Sequence, residues 1–132
     1  MTIKILLVDD NPIFLAAIRQ YLTLLPQARV VDEAINGAQA LAEAAALEPD
    51  LVLLDIAMPG MSGLEVARTM KTWPRSPHVL FLSMHDNESY RQAARELGAV
   101  AFVNKANFVT ELLPIIEGLI GVTPGTNTEQ RV

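Results

Sequence analysis

Five short apolar runs, each followed by a stretch with helical spacing, leave this chain few ways to fold. The first, Ile3 to Val8, has Lys4 as its only polar residue, and an unbroken run of that kind is a strand buried on both faces. Asn11-Pro12 then supplies a helix cap and a proline at the first helical position. Phe14, Ile18, Leu22 and Leu25 follow at near-helical spacing, predicting a helix that stops around Pro26. Val30-Val31 reads as a short second strand. Asn36-Gly37 opens an alanine-rich helix whose expected inner face is Ala38, Leu41, Ala42 and Ala45, ended by Glu48-Pro49-Asp50. Leu51 to Leu54 is the third strand, and Ser62 with Glu65 forms a capping box for a third helix that stops before Pro74. His78 to Leu82 is the fourth strand. Asp86 is the expected cap of a fourth helix with Tyr90, Ala93, Ala94 and Leu97 inward, and Gly98 suits its left-handed end. Val100 to Val103 is the fifth strand, and Asn107 is the expected cap of a fifth helix running to about Ile120, with Pro114 predicting a kink.

Five strands alternating with five helices predict an α/β fold: a doubly wound, five-stranded parallel sheet, flavodoxin-like, in the order 2-1-3-4-5. The chain's 132 residues suit one domain, expected over 1–121, with the polar 122–132 stretch read as a flexible tail or the start of a linker. A hydrophobic fraction of 51% excludes a disordered chain. The net charge of −5 argues against direct nucleic-acid binding through phosphate neutralisation. Without cysteine there is no disulfide framework, thiolate metal site or cysteine nucleophile. The chain has no apolar run long enough for a membrane span, and its start reads as a strand ending in two aspartates rather than a signal peptide, so a soluble, cytoplasmic protein is expected.

In such a sheet all strands point the same way, and ligands bind at the edge formed by their C-terminal ends. Here the first strand runs into Asp9-Asp10, the third into Asp55, the fourth into Ser83 and the fifth into Asn104-Lys105. The second, at the sheet's edge, runs into Asp32-Glu33 and is least able to reach a shared centre. One aspartate after a strand is usually a cap or turn residue; three converging on one edge are not explained that way. Two carboxylates about 4 Å apart repel by roughly 4 kcal/mol at an effective dielectric of 20, so the cluster needs cations. Lys105 supplies one charge. A hard divalent ion, Mg2+, is the natural second, because it takes carboxylate and phosphate oxygens. A carboxylate beside Mg2+, with a lysine and a hydroxyl opposite, has the parts for phosphoryl transfer to that carboxylate. Asp55, the lone carboxylate at the end of a central strand, is the best nucleophile, with Ser83 and Lys105 placed to contact phosphate oxygens. His78 and His85 are too few and too scattered for a metal site, and read as strand-start and loop residues.

These residues resemble the receiver domains of two-component response regulators. The resemblance covers about residues 3 to 121 and rests on Val8-Asp9-Asp10-Asn11, on Leu54-Asp55 through Met58-Pro59-Gly60 to Gly63, on Leu82-Ser83-Met84-His85-Asp86 and on Gly98 through Phe102 to Asn104-Lys105. It implies that Asp55 accepts a phosphoryl group from a sensor histidine kinase. It further implies that Asp10, Asp55 and the carbonyl of Ala57 bind Mg2+ with help from Asp9 through water, and that Ser83 and Lys105 contact the phosphoryl oxygens. Movement of Ser83 and of the aromatic Phe102 would alter the face made by the fourth helix, fifth strand and fifth helix, and a homodimer through that face is compatible with the sequence. Phe102 stands where the family often has tyrosine, Lys105-Ala106 replaces a common Lys-Pro step, and Met84 is large enough to screen Asp55 from water. The Ser83 to Asp86 stretch is similar to the subgroup with a C-terminal LuxR-type helix-turn-helix output domain, which favours transcription regulation through a domain outside this chain. Against this stand a single-domain regulator acting by protein contact and, in a different class, a Mg2+-dependent aspartyl-nucleophile phosphatase. The phosphatases place a second acid two residues after the nucleophile, where this chain has Ala57. A flavin mononucleotide carrier is disfavoured because Asp9-Asp10 would repel phosphate without a metal, and a pseudo-receiver because the acidic set and Lys105 are intact.

Overall fold

The computed structural model describes residues 2–121; the expected tail, 122–132, lies outside them. The elements are β1 (Ile3–Val8), α1 (Pro12–Leu22), β2 (Ala28–Ala34), α2 (Gly37–Leu47), β3 (Leu51–Asp55), α3 (Gly63–Met70), β4 (His78–Ser83), α4 (Glu88–Glu96), β5 (Ala101–Asn104), a 3-10 turn (Lys105–Asn107) and α5 (Phe108–Gly121). All strand pairs are parallel and the order is β2-β1-β3-β4-β5, as the alternation of runs predicts. Among the described residues no helix is long and apolar enough to cross a membrane.

The two-residue period of the strands divides the core into two layers. Ile5, Leu7, Leu51, Leu53, Leu80 and Leu82 face one side, where Leu15, Ile18 and Tyr21 of α1 and Leu112 and Ile116 of α5 cover them. Leu6, Val8, Val52, Leu54 and Phe81 face the other, under Ala40 and Ala44 of α2, Val66 and Met70 of α3 and Ala94 of α4. Burial on both faces is why these strands are written as unbroken apolar runs.

Several local expectations are corrected. The helix α1 ends at Leu22, and buried Leu25 packs from the turn after it. At the sheet's edge β2 is seven residues long rather than two, because a half-exposed strand tolerates Arg29, Asp32 and Glu33 within it; Val31 is the extra residue where the β1 register shifts between Ile5 and Leu6. The inner face of α2 is Gly37, Ala40 and Ala44 with Leu41 half-buried, while Ala38, Ala42 and Ala45 face solvent. Asn87, not Asp86, caps α4 by accepting from Tyr90 N–H at 2.8 Å; Asp86 is bound to Arg91. A 3-10 turn that the sequence pattern does not foretell precedes α5: Asn104 caps it, accepting from Ala106 N–H at 2.9 Å, and Asn107, the expected cap of the fifth helix, is its last residue and directly precedes α5. The capping box of α3 is formed by Ser62 and Glu65 as read from the sequence, and Gly98 takes a left-handed φ of 72°.

Candidate functional site

The parallel register delivers the C-terminal residues of β1, β3, β4 and β5 to one edge. Asp9 follows β1 directly, tied to β2 by its N–H on the Ala34 carbonyl at 3.0 Å. Its Oδ1 accepts from Asn11 N–H at 2.9 Å, and Asn11 in turn caps α1 by accepting from Ile13 and Phe14. One carboxylate of the Asp9-Asp10 pair is thereby locked inward, at 2% exposure, while Asp10 is exposed. Asp55 ends β3 opposite Leu82 of β4 and is 3% exposed. The chain behind it is held by space as well as by bonds. Gly63 donates to the Ile56 carbonyl at 2.9 Å, and a methyl group built on Gly63 would sit 2.1 Å from the Asp55 carbonyl oxygen.

Lys105, on the 3-10 turn after β5, reaches back across the edge. Its ammonium lies 2.6 Å from Asp9 Oδ2 and 3.4 Å from Asp55 Oδ1, with both partners and the lysine side chain buried. Oxygens of Asp9, Asp10 and Asp55 all lie within 4.8 Å of one another. Three carboxylates against one ammonium leave an excess of two negative charges. Asp9 Oδ2, although buried, has no well-aligned hydrogen bond and meets the ammonium as an ion pair alone. Burial first, and the Asp9 charge second, push the Asp55 carboxyl up to about 6, against the opposing pull of Lys105 and of the Ala57 N–H. An all-oxygen donor set with a surplus charge of two and an under-satisfied buried oxygen fits a small hard divalent cation.

The remaining site candidates lie on β4, on β5 and on the loop after β3. Ser83 is fully buried at the end of β4, its hydroxyl engaged with its own turn: it accepts from His85 N–H at 2.9 Å and donates to the His85 carbonyl at 3.1 Å. Ala57 is exposed on the loop after β3, and Met84, expected as a screen over Asp55, is 65% exposed. Phe102, half-buried on β5, lies under the Arg91 guanidinium at 4.7 Å, and Arg91 is forked onto Asp86 at 2.6 and 2.9 Å. Sequence reasoning missed two residues at this edge. Gly63 lies in the Leu54 to Gly63 motif with no role apparent from the sequence, and Phe14, placed by its helical spacing only on the apolar face of α1, has its ring face 4.5 Å from the Lys105 ammonium. A cleft of about 550 Å3 opens at the other end of the sheet near Pro49, Trp73 and His78 and shares no lining residue with the acidic cluster.

The family model for the response regulator receiver domain matches residues 5–117, which hold the whole cluster. The chain belongs to this family. Over 101 residues it is 37% identical to the nitrate/nitrite response regulator protein NarL of Escherichia coli K12, covering 76% of this chain and 47% of that protein. Over 107 residues it is 36% identical to a protein-glutamate methylesterase/protein-glutamine glutaminase of Aliivibrio fischeri, covering 80% of this chain and 28% of that protein. Among solved structures it superposes on a LuxR-family two-component response regulator from Aurantimonas sp. SI85-9A1 with a TM-score of 0.84 and 32% identity, over 91% of this chain and 86% of the other. This receiver domain therefore spans about half of the NarL protein and about a quarter of the methylesterase.

Proposed function

We propose that this receiver is a phosphorylation-activated switch in which Asp55 is the phosphoacceptor, a sensor histidine kinase is the donor and the reaction is Mg2+-dependent. The observation that carries this reading is the buried Lys105 ammonium set between Asp9 and Asp55 in a cluster of three carboxylates. An oxygen of Asp55 supplies the electron pair for a new P–O bond while the P–N bond to the donor's imidazole breaks and its pair returns to nitrogen. Attack of water on phosphorus later breaks the P–O bond, releasing inorganic phosphate and restoring the carboxylate. Asp10, Asp55 and the Ala57 carbonyl would hold Mg2+, with Asp9 assisting through water. When bound, the ion supplies neutralisation of the carboxylates and of the incoming phosphoryl oxygens. Lys105, already at Asp55, pairs with one phosphoryl oxygen. Ser83 donates to another after releasing the His85 backbone.

The switch follows from what those contacts displace. Drawing the Ser83 hydroxyl off His85 loosens the turn that leads to Asp86, Arg91 and thus Phe102, so phosphorylation biases the face of α4, β5 and α5 between two arrangements. The similarity to NarL and to the LuxR-family regulator supports transcription regulation as the output, through a DNA-binding module outside this chain, and the setting is the cytoplasm. Treatment with Mg2+ and a small acyl phosphate or phosphoramidate, followed by intact-mass measurement, tests the acceptor. Wild type should gain one phosphoryl group and Asp55→Asn none; equal labelling of both would remove Asp55 from the role.

A further inference from the structure

We propose that Phe14 is a positioning residue for the phosphoryl-acceptor site: its ring face fixes where the Lys105 ammonium sits between Asp9 and Asp55. The inference rests on the assignment of Asp55 as acceptor and Lys105 as its cation. A lysine ammonium on a flexible four-carbon stem has no preferred geometry of its own, and two carboxylates at 2.6 and 3.4 Å leave it free to swing around the line joining them. The Phe14 ring, 4.5 Å from Nζ, supplies the third point of contact. Attraction between the cation and the negative ring face is strongest where water is excluded, and the lysine side chain is only 8% exposed.

The ring is itself held. Phe14 meets Phe108 edge to face at 5.3 Å and 77°, and Phe108 meets Tyr21 edge to face at 5.2 Å and 73°. The Tyr21 hydroxyl then enters the hydrogen-bond ladder of α5, donating to the Val109 carbonyl at 2.8 Å and accepting from Leu113 N–H at 3.0 Å. These are the two groups an uninterrupted α-helix would pair with each other, one residue before Pro114, which has no N–H to give. Three aromatic rings thus connect the site's ammonium to a fixed point in the last helix. Mere core filling would require only volume at position 14; the position of the ring over Nζ requires a π face.

The test separates those two demands and uses the chain as it is. Phe14→Leu, Phe14→Tyr and a pentafluorophenylalanine at position 14, which keeps the shape and reverses the charge of the ring face, are labelled with a saturating small acyl phosphate and Mg2+ and followed by intact mass. The maximal labelling rate should fall about fivefold in Phe14→Leu and in the fluorinated protein, with the donor concentration for half-maximal rate little changed, and Phe14→Tyr should restore it. The fluorinated protein keeps the test decisive if Phe14→Leu does not fold. Lys105 side-chain methylene protons should show an upfield ring-current shift in wild type that Phe14→Leu removes. In a Lys105→Met background the Phe14→Leu change should have no further effect on the rate. A wild-type rate in the fluorinated protein, or the same fivefold loss with and without Lys105, would overturn the proposal. Absence of labelling in wild type would instead overturn the assignment of the acceptor.

Discussion

Replacing Asp55 by asparagine should make the metal-free protein more stable at neutral pH, by an amount the site itself sets. The carboxyl titrates at 3.8 in a solvated chain and at about 6 in the fold, because burial and Asp9 disfavour its charged form more than Lys105 favours it. Below 3.8 both states carry the proton and nothing is lost. Between 3.8 and about 6 the folded chain holds a proton that the unfolded chain has released, so stability falls as pH rises; above about 6 the deficit is constant. At 1.36 kcal/mol per pH unit that interval is worth about 3 kcal/mol, or about 10 °C in Tm for a domain of this size. Asparagine is neutral throughout and nearly the same shape. Thermal unfolding of wild type and Asp55→Asn in chelator-containing buffer from pH 4 to pH 8 should therefore give nearly equal Tm values at the acid end. The gap in favour of the variant should open between pH 4 and 6 and then stay level. The contributions of carboxylates outside the cluster cancel in the difference. A gap independent of pH, or a variant less stable than wild type at pH 7.5, would refute the electrostatic account of the cluster.

Two further outcomes follow from the same geometry. Asp10→Asn removes one of the three clustered negative charges with little cost to the core, since Asp10 is exposed, and should weaken Mg2+ binding at least tenfold, roughly 1.4 kcal/mol, by calorimetric titration; an unchanged affinity would show that the ligand set is wrong. Gly63→Ala places a methyl group 2.1 Å from the Asp55 carbonyl oxygen, a backbone atom that cannot step aside, and should destabilise the fold by about 3 kcal/mol or more in denaturant unfolding, whereas the same change at Gly118, open and inside α5, should stabilise it by up to about 1 kcal/mol.

What the sequence revealed and what it hid divide along physical lines. The strands were legible because burial on both faces writes them as apolar runs, and the site because parallel strands end together, so that Asp9, Asp55 and Lys105 had to meet once the order of strands was known. The phase of α2 was not legible. A helix of alanines has nearly equal apolarity on every side, so the pattern cannot say which stripe is buried; the close approach of Met61 to Gly37 is a tertiary fact. Asp86 and Asn87 are both good caps, and the choice fell to Asn87 because Arg91, one turn further on, takes the aspartate. Phe14 left no signal of its site contact, since an aromatic ring in an amphipathic helix is ordinarily core, and its neighbour across the site is 91 positions away in the chain.

The separation of the core into two layers also has a consequence for how the chain acquires its shape during synthesis. The layer under α2, α3 and α4 has all its buried members once Ala94 has been made. The other needs Leu112 and Ile116 of α5, and Tyr21 waits for partners 88 and 92 residues downstream. A chain emerging from its N-terminus can close the first layer while the opposite side of β1, β3 and β4 is still bare, and the carboxylates of Asp9 and Asp55 can come together before their lysine is free to join them. The last helix therefore does two jobs as it emerges: it covers half the sheet, and it brings the ring of Phe108 against Phe14 only after Lys105 has arrived to be held.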